Sequence, residues 1–144
     1  MLDPFTQCQQ QVLAFFRDLD ENRYEAMAER LAPDGVWHRQ GQLLQGREAV
    51  LAALARRAPT MRILHLFTNL LLDRLDADTC ELRGYMLIVR HDAGVALDGP
   101  APLSGIESIR NHGFTLRRHG ERWLIAALRP DEPSFSMAAG AISR

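Results

Sequence analysis

The sequence predicts an α+β domain in which helices come first and an antiparallel sheet follows. Three observations carry this reading. Apolar residues recur at helical spacing in the first third of the chain, and the period changes to two from Arg62 onward. A chain of 144 residues with 47% hydrophobic residues has room for one core and not for two. Helices gathered on one face of a bent sheet leave a pocket between the layers as the natural site.

Asp3 before Pro4 supplies a capping carboxylate and then a residue that needs no amide hydrogen, and Phe5, Cys8, Val12, Phe15, Phe16 and Leu19 follow at helical spacing. This predicts a first helix over about 4–19. The Asp20-Glu21-Asn22 cluster turns the chain, and Tyr24, Met27, Ala28 and Leu31 form a second, shorter apolar face ended by Pro33. Asp34-Gly35 leads into a short strand, Val36-Trp37-His38-Arg39. After Gly46 a third helix carries Val50, Ala53 and Leu54 on one face and stops before Pro59. Strands are expected over 62–73, 79–90, 106–118 and 122–128, with a tight hairpin at Arg118-His119-Gly120-Glu121. Residues 92–105, rich in glycine and proline, read as a long loop of the kind that covers a site. The domain is expected over 1–130. Residues 131–144 form a C-terminal tail, free or docked by Phe135, Met137 and Ile142.

Seventeen basic against eighteen acidic side chains give a net charge of -1, without the one-signed field that holds nucleic acid or an anionic membrane. Apolar runs such as Tyr85-Met86-Leu87-Ile88-Val89 fall far short of the ~20 residues of a membrane span. The N-terminus has neither a basic region nor a long apolar run, so a cytoplasmic, soluble protein is expected. Cys8 and Cys80 lie far apart and outside any Cys-x-x-Cys spacing, which predicts two buried thiols rather than a disulfide or a zinc site.

Of the five histidines, only His65 has a distinctive setting. Alternation places it on one face with Ile63, Phe67, Asn69 and Leu71, and an imidazole among apolar groups needs a partner, which in a core or half-exposed histidine is a backbone carbonyl. His91 and His119 read as solvated, and nothing marks His38 or His112. No pair has the spacing of a metal site. Asp20 ends the first helix, where the macrodipole disfavours a carboxylate, so it is either a turn residue or held by something else. Arg56-Arg57 and Arg117-Arg118 read as a solvated helix end and a hairpin flank. Leu64, Leu66, Leu70 and Leu72 fall on the face opposite His65, a stripe that predicts a homodimer through the outer face of the sheet.

Leu19-Asp20, Ala32-Pro33-Asp34-Gly35-Val36-Trp37, Gln45-Gly46-Arg47-Glu48-Ala49-Val50, His65-Leu66-Phe67-Thr68-Asn69 and Arg117-Arg118-His119-Gly120 before Trp123 occur in an order and spacing that resemble the nuclear transport factor 2-like superfamily. Within it the chain is similar to the SnoaL-like branch, which includes scytalone dehydratase, bile acid dehydratase and hexachlorocyclohexane dehydrochlorinase. The resemblance runs from the first helix to about Arg129. It implies a cone of curved mixed sheet whose mouth is filled by three N-terminal helices, with an apolar pocket inside.

In those dehydratases an Asp ending the first helix and a His on the first long strand form a catalytic dyad, and Asp20 and His65 match these positions. The resemblance therefore implies proton abstraction from carbon, with His65 as base and Asp20 fixing its tautomer and stabilising the imidazolium. Loss of a leaving group makes the protein a lyase, reprotonation elsewhere an isomerase, and neither needs a cofactor or a metal. The substrate expected is small, apolar, cyclic or carbonyl-bearing. Phe15, Phe16, Tyr24, Trp37, Phe67, Asn69, Tyr85, Met86 and Arg129 are the candidate substrate contacts. Relatives often carry Lys or Tyr where this chain has Phe15, and an arginine five residues after the tryptophan, where this chain has Leu128 and then Arg129. Those two departures favour an alternative, a ligand-binding member without turnover. A third reading is a small structural subunit related to the β subunits of ring-hydroxylating dioxygenases.

Overall fold

The computed structural model describes residues 2–137. Helices α1 (Pro4–Asp20) and α2 (Tyr24–Glu29), strands β1 (Leu31–Arg39) and β2 (Gln42–Gln45), and helix α3 (Arg47–Leu54) make up the first part of the chain. Strands β3 (Arg62–Leu75), β4 (Thr79–His91), β5 (Ser108–His119), β6 (Arg122–Pro130) and β7 (Phe135–Ser136) follow. None of the described helices is long and apolar enough to cross a membrane.

Asp3 caps α1 as its position before proline predicts, its carboxylate accepting from the Thr6 amide at 3.0 Å and the Thr6 hydroxyl at 2.8 Å. Cys8, Val12, Phe15, Phe16 and Leu19 are buried on one stripe of the helix. They pack with Leu82, Phe114, Leu116 and Ile125 into a single core between the helices and the concave face of the sheet. Cys8 and Cys80 are buried free thiols inside this core.

The sheet runs β2-β1-β6-β5-β4-β3, with β7 added beside β5. β1 and β6 are parallel and the other pairs antiparallel, so the sheet is mixed; it is curved and unclosed, with β2 and β3 at its ends. β1 begins five residues earlier than the alternation at Val36 predicts. Leu31 already pairs with Ile125, and an irregularity before Val36 leaves Pro33 and Asp34 exposed, where a residue without an amide hydrogen is tolerated. β2 was not expected from the sequence. It forms because Gln40 and Gly41 both adopt positive φ, 51° and 75°, in the two-residue turn that matches hairpin twist.

Of the register shifts in the sheet, two decide which candidate residues face inward. At Asn69, whose φ is 55°, β3 gains one residue relative to β4 and its alternation reverses. Leu70 consequently packs against the core, where a Cβ on Gly84 would lie 2.7 Å from its side chain, and Leu71 is exposed. The expectation that Asn69 and Leu71 share the face of His65, and that Leu70 points outward, is thus corrected. A second bulge lies on β6 at Ala126, between Leu116–Ile125 and Thr115–Ala127. It brings Leu128 into phase with the buried Trp123 and Ile125 and leaves Arg129 outside.

The beginning of the tail is docked by backbone pairing, with Ile109 opposite Phe135 and Ser108 opposite Ser136, while the Phe135 ring is exposed. Ile142 lies outside the described residues.

Candidate functional site

α1 and β3 meet where the helix ends, and the meeting brings Asp20 and His65 together. His65 Nδ1–H donates to Asp20 Oδ1 at 2.6 Å, and the His65 backbone N–H donates to Asp20 Oδ2 at 2.9 Å. Both side chains are nearly closed to solvent, at 9% and 5% exposure. A carboxylate at the C-terminal end of a helix lacks support from the helix dipole, and here two donors from one residue supply it instead. With Nδ1 committed to Asp20, a neutral imidazole carries its lone pair on Nε2.

His65 forms part of the wall of a cavity of about 1020 Å³ between α1, the loop after α3, and β1, β3, β4 and β5. Phe16 stacks obliquely on the imidazole with ring centres 5.1 Å apart. Phe16, Trp37, Ile63, Met86 and Ile88 make one apolar wall. His38, Arg39, Arg57, Arg90, Glu107, Ser108, Arg110 and His112 also line it, so the cavity is mixed in character and carries more charged groups than the apolar pocket expected. Glu107 pairs with Arg90 at 3.1 Å. Burial and the nearby charges of Arg57 and Arg90 push Arg39 below the ordinary guanidinium range, and burial does the same to Arg57.

His112 is closed to solvent and stacks on Phe114, ring centres 4.4 Å apart and nearly parallel. Its Nδ1–H donates to the Gly113 carbonyl at 3.0 Å, which leaves Nε2 an acceptor. Burial lowers its pKa to about 3, outweighing the upward pull of the Gly113 carbonyl, so the ring is neutral at physiological pH.

Of the candidate substrate contacts, Phe16, Trp37 and Met86 line the cavity. Phe67 sits one layer behind, against Phe16 and Phe114. Phe15 is sealed in the core, edge-on to Trp37 at 5.4 Å, because the position is on the buried stripe of α1. Tyr24 does not reach the cavity; its hydroxyl donates to Asn22 and accepts from Arg57 Nη1 at 3.3 Å. Asn69 is at the exposed bulge, Tyr85 is on the outer face of β4, and Arg129 is turned outward by the Ala126 bulge.

The sequence reading missed Arg39, Arg57, Arg90, Arg110 and His112. The alternation itself carried a signal for four of them. Arg39 shares parity with Trp37, Arg90 with Met86 and Ile88, and Arg110 and His112 with the buried Phe114. Arg57, expected to be solvated, is carried back over Tyr24 by the turn after α3. Among the described residues no group of three His, Cys, Asp or Glu side chains is placed to hold a metal ion.

A bent mixed sheet with helices across its open side, and a buried His–Asp pair at the wall of the cavity between them, defines the class. The sequence matches the SnoaL-like domain family over residues 2–129, and the chain belongs to that family. Among solved structures it is similar to a protein from Catenulispora acidiphila at 25% identity and a TM-score of 0.71, over 88% of this chain and 89% of that one. Another structure from that organism, in complex with S-DNPA, matches at 26% identity and a TM-score of 0.68, over 88% and 90%. A scytalone dehydratase-like protein from Novosphingobium aromaticivorans shares the fold at 17% identity and a TM-score of 0.70, over 93% and 88%. No curated protein matches the chain.

Proposed function

We propose that this protein is a lyase or isomerase that removes a proton from carbon, using His65 as base and Asp20 as its partner. The observation that carries the reading is the 2.6 Å contact between a buried carboxylate and an imidazole in the wall of a large cavity. His65 Nε2 takes a proton from the carbon beside a carbonyl, and the C–H electron pair moves into an enolate. Asp20 stabilises the imidazolium that results. Elimination follows when the enolate expels a hydroxyl from the next carbon and the imidazolium returns the proton to it as water. Return of the proton to a different carbon gives an isomer. No cofactor takes part in either sequence.

The test is a screen of β-hydroxy ketones, cyclic enones and halogenated rings for elimination or isomerisation. On any hit, His65→Ala is expected to lower turnover by ~100-fold to 10,000-fold with little change in ligand affinity. Full activity in His65→Ala refutes the dyad. The second reading, a ligand-binding member without turnover, is favoured by Phe15 in the core and Arg129 on the outer face, where neither meets a substrate. Saturable binding with no turnover across the screen selects it.

A homodimer through the outer face of the sheet is part of the same proposal. Leu64 and Leu66 are 54% and 46% exposed on one strand, beside the half-exposed Tyr85. A second copy related by a two-fold axis covers each stripe with the other. Sedimentation is expected to show a dimer at micromolar concentration and a monomer for Leu64→Lys with Leu66→Lys. A wild-type monomer overturns it.

A further inference from the structure

We infer that the cavity takes an organic carboxylate, its acid group held by Arg39 and Arg57 and its ring body laid against Phe16 and Trp37. The inference deepens the proposed reaction by naming its substrate class, and rests on that reading for the ligand's being a substrate, while the binding claim stands on the cavity alone.

Four guanidinium groups line the cavity and the only carboxylate among its lining residues, Glu107, is taken by Arg90. Arg39 makes no ion pair and no side-chain hydrogen bond among the described residues; its guanidinium lies over the Trp37 ring, 5.5 Å from the centre. Arg57 lies over Tyr24 and donates only to neutral acceptors, the Leu19 carbonyl at 3.2 Å and the Tyr24 hydroxyl, and its Nε has no hydrogen-bond partner among the described residues. Arg110 likewise donates to a carbonyl and a hydroxyl, not to a carboxylate.

Gathering four half-buried cations at one cavity with a single lining carboxylate among them costs stability, and both Arg39 and Arg57 feel that cost as burial against their charged form. An anion in the cavity reverses it. A planar carboxylate suits the flat fork of guanidinium better than a point charge would. The aromatic wall supplies the surface for a ring.

The position of Arg57 ties this site to the dyad. Its Nη1 is bonded to the carbonyl of Leu19, the residue before Asp20, and it senses the Asp20 charge. A carboxylate held there sits at the same end of the cavity as the His65 ring.

Isothermal titration calorimetry of the full chain with 2-naphthoate and with its neutral isostere 2-naphthamide tests the inference. Naphthoate is expected to bind about 10-fold or more tightly than the amide, as charge-assisted hydrogen bonds to guanidinium allow, and its advantage is expected to shrink in high salt. Arg39→Gln removes no hydrogen bond of the fold, so it is expected to keep the fold and the amide affinity and to lose most of the preference. Arg57→Gln is also expected to lose most of the preference, with a lower melting temperature because its bonds to the Leu19 carbonyl and the Tyr24 hydroxyl go with it. Equal or tighter binding of the amide overturns the inference, as does failure of both probes to bind. Equal loss of both ligands in Arg39→Gln also overturns it. A wild-type protein that turns over nothing in the screen yet prefers naphthoate sinks the reaction and leaves the carboxylate site standing.

Discussion

Two carboxylates leave the last turn of α1 in different directions, and they meet opposite kinds of partner. Asp18 is gripped by Arg23 at 3.1 and 3.2 Å and by Arg30 at 2.8 Å. Arg30 continues to Gln11, and Gln11 to the Trp123 carbonyl, so that side of the helix is bolted to β6. Asp20 is equally buried but meets one imidazole and one amide. Arginine never gives up its proton near neutrality, whereas histidine exchanges it readily. A carboxylate between arginines can therefore only hold structure, and a carboxylate against a histidine at a cavity wall can support chemistry. Burial alone does not separate the two; the partner's ability to change charge does.

The contrast is broken most directly by Asp20→Asn. On a substrate identified by the screen, the variant is expected to lose ~100-fold or more in turnover, less than His65→Ala, because the amide preserves geometry but not the charge that stabilises imidazolium. Its melting temperature is expected to fall little. A normal rate in Asp20→Asn removes the distinction between the two residues.

Asp18→Asn is expected to do the reverse. The change strands the guanidinium groups of Arg23 and Arg30 against a neutral amide and costs roughly 2–3 kcal/mol of unfolding free energy, read by urea denaturation, with carboxylate binding unchanged. A strong effect on ligand binding with stability intact contradicts a purely structural role.

A smaller effect sharpens the same contrast among histidines. His112 has a carbonyl where His65 has a carboxylate, and burial lowers its pKa to about 3 from an ordinary 6.5. Between those values the unfolded chain binds a proton that the folded one refuses. Stability at this site is therefore full above about 6.5 and falls as pH drops toward 3, by at most ~1.4 kcal/mol per pH unit. Chemical denaturation of His112→Gln across that window is expected to show a shallower acid slope than the wild type. Identical slopes place the acid sensitivity elsewhere.

Much of this was legible in the sequence where a local period decides structure. The α1 stripe, the starts of β3, β4 and β6, and the Asp3 cap follow from side-chain spacing and one capping carboxylate. What escaped depended on backbone exceptions or on partners remote in sequence. A left-handed Gln40 made β2, a left-handed Asn69 reversed β3, and the Ala126 bulge exchanged Leu128 for Arg129. None of these residue types compels the conformation it adopts. The pairing of Asp20 with His65 was readable only through family resemblance, because no spacing rule links residues of a helix end and a strand. The arginines were passed over because an arginine on a strand usually marks a solvated face, and only the curvature of the sheet folds those faces over a cavity.

β3 is the last strand of an unclosed sheet, and among the described residues no strand lies beyond it to receive its outward amides. Asp20 Oδ2 takes up one of these, the His65 N–H, near the middle of the half of β3 that precedes the bulge. A sheet margin with free amides is a template on which a second chain can add, and a carboxylate that caps it from a helix end blocks that addition. The same side chain thus satisfies one amide of the sheet margin while it orients the imidazole. Substitutions that remove both of its oxygens are expected to aggregate on heating, read by light scattering during a thermal ramp.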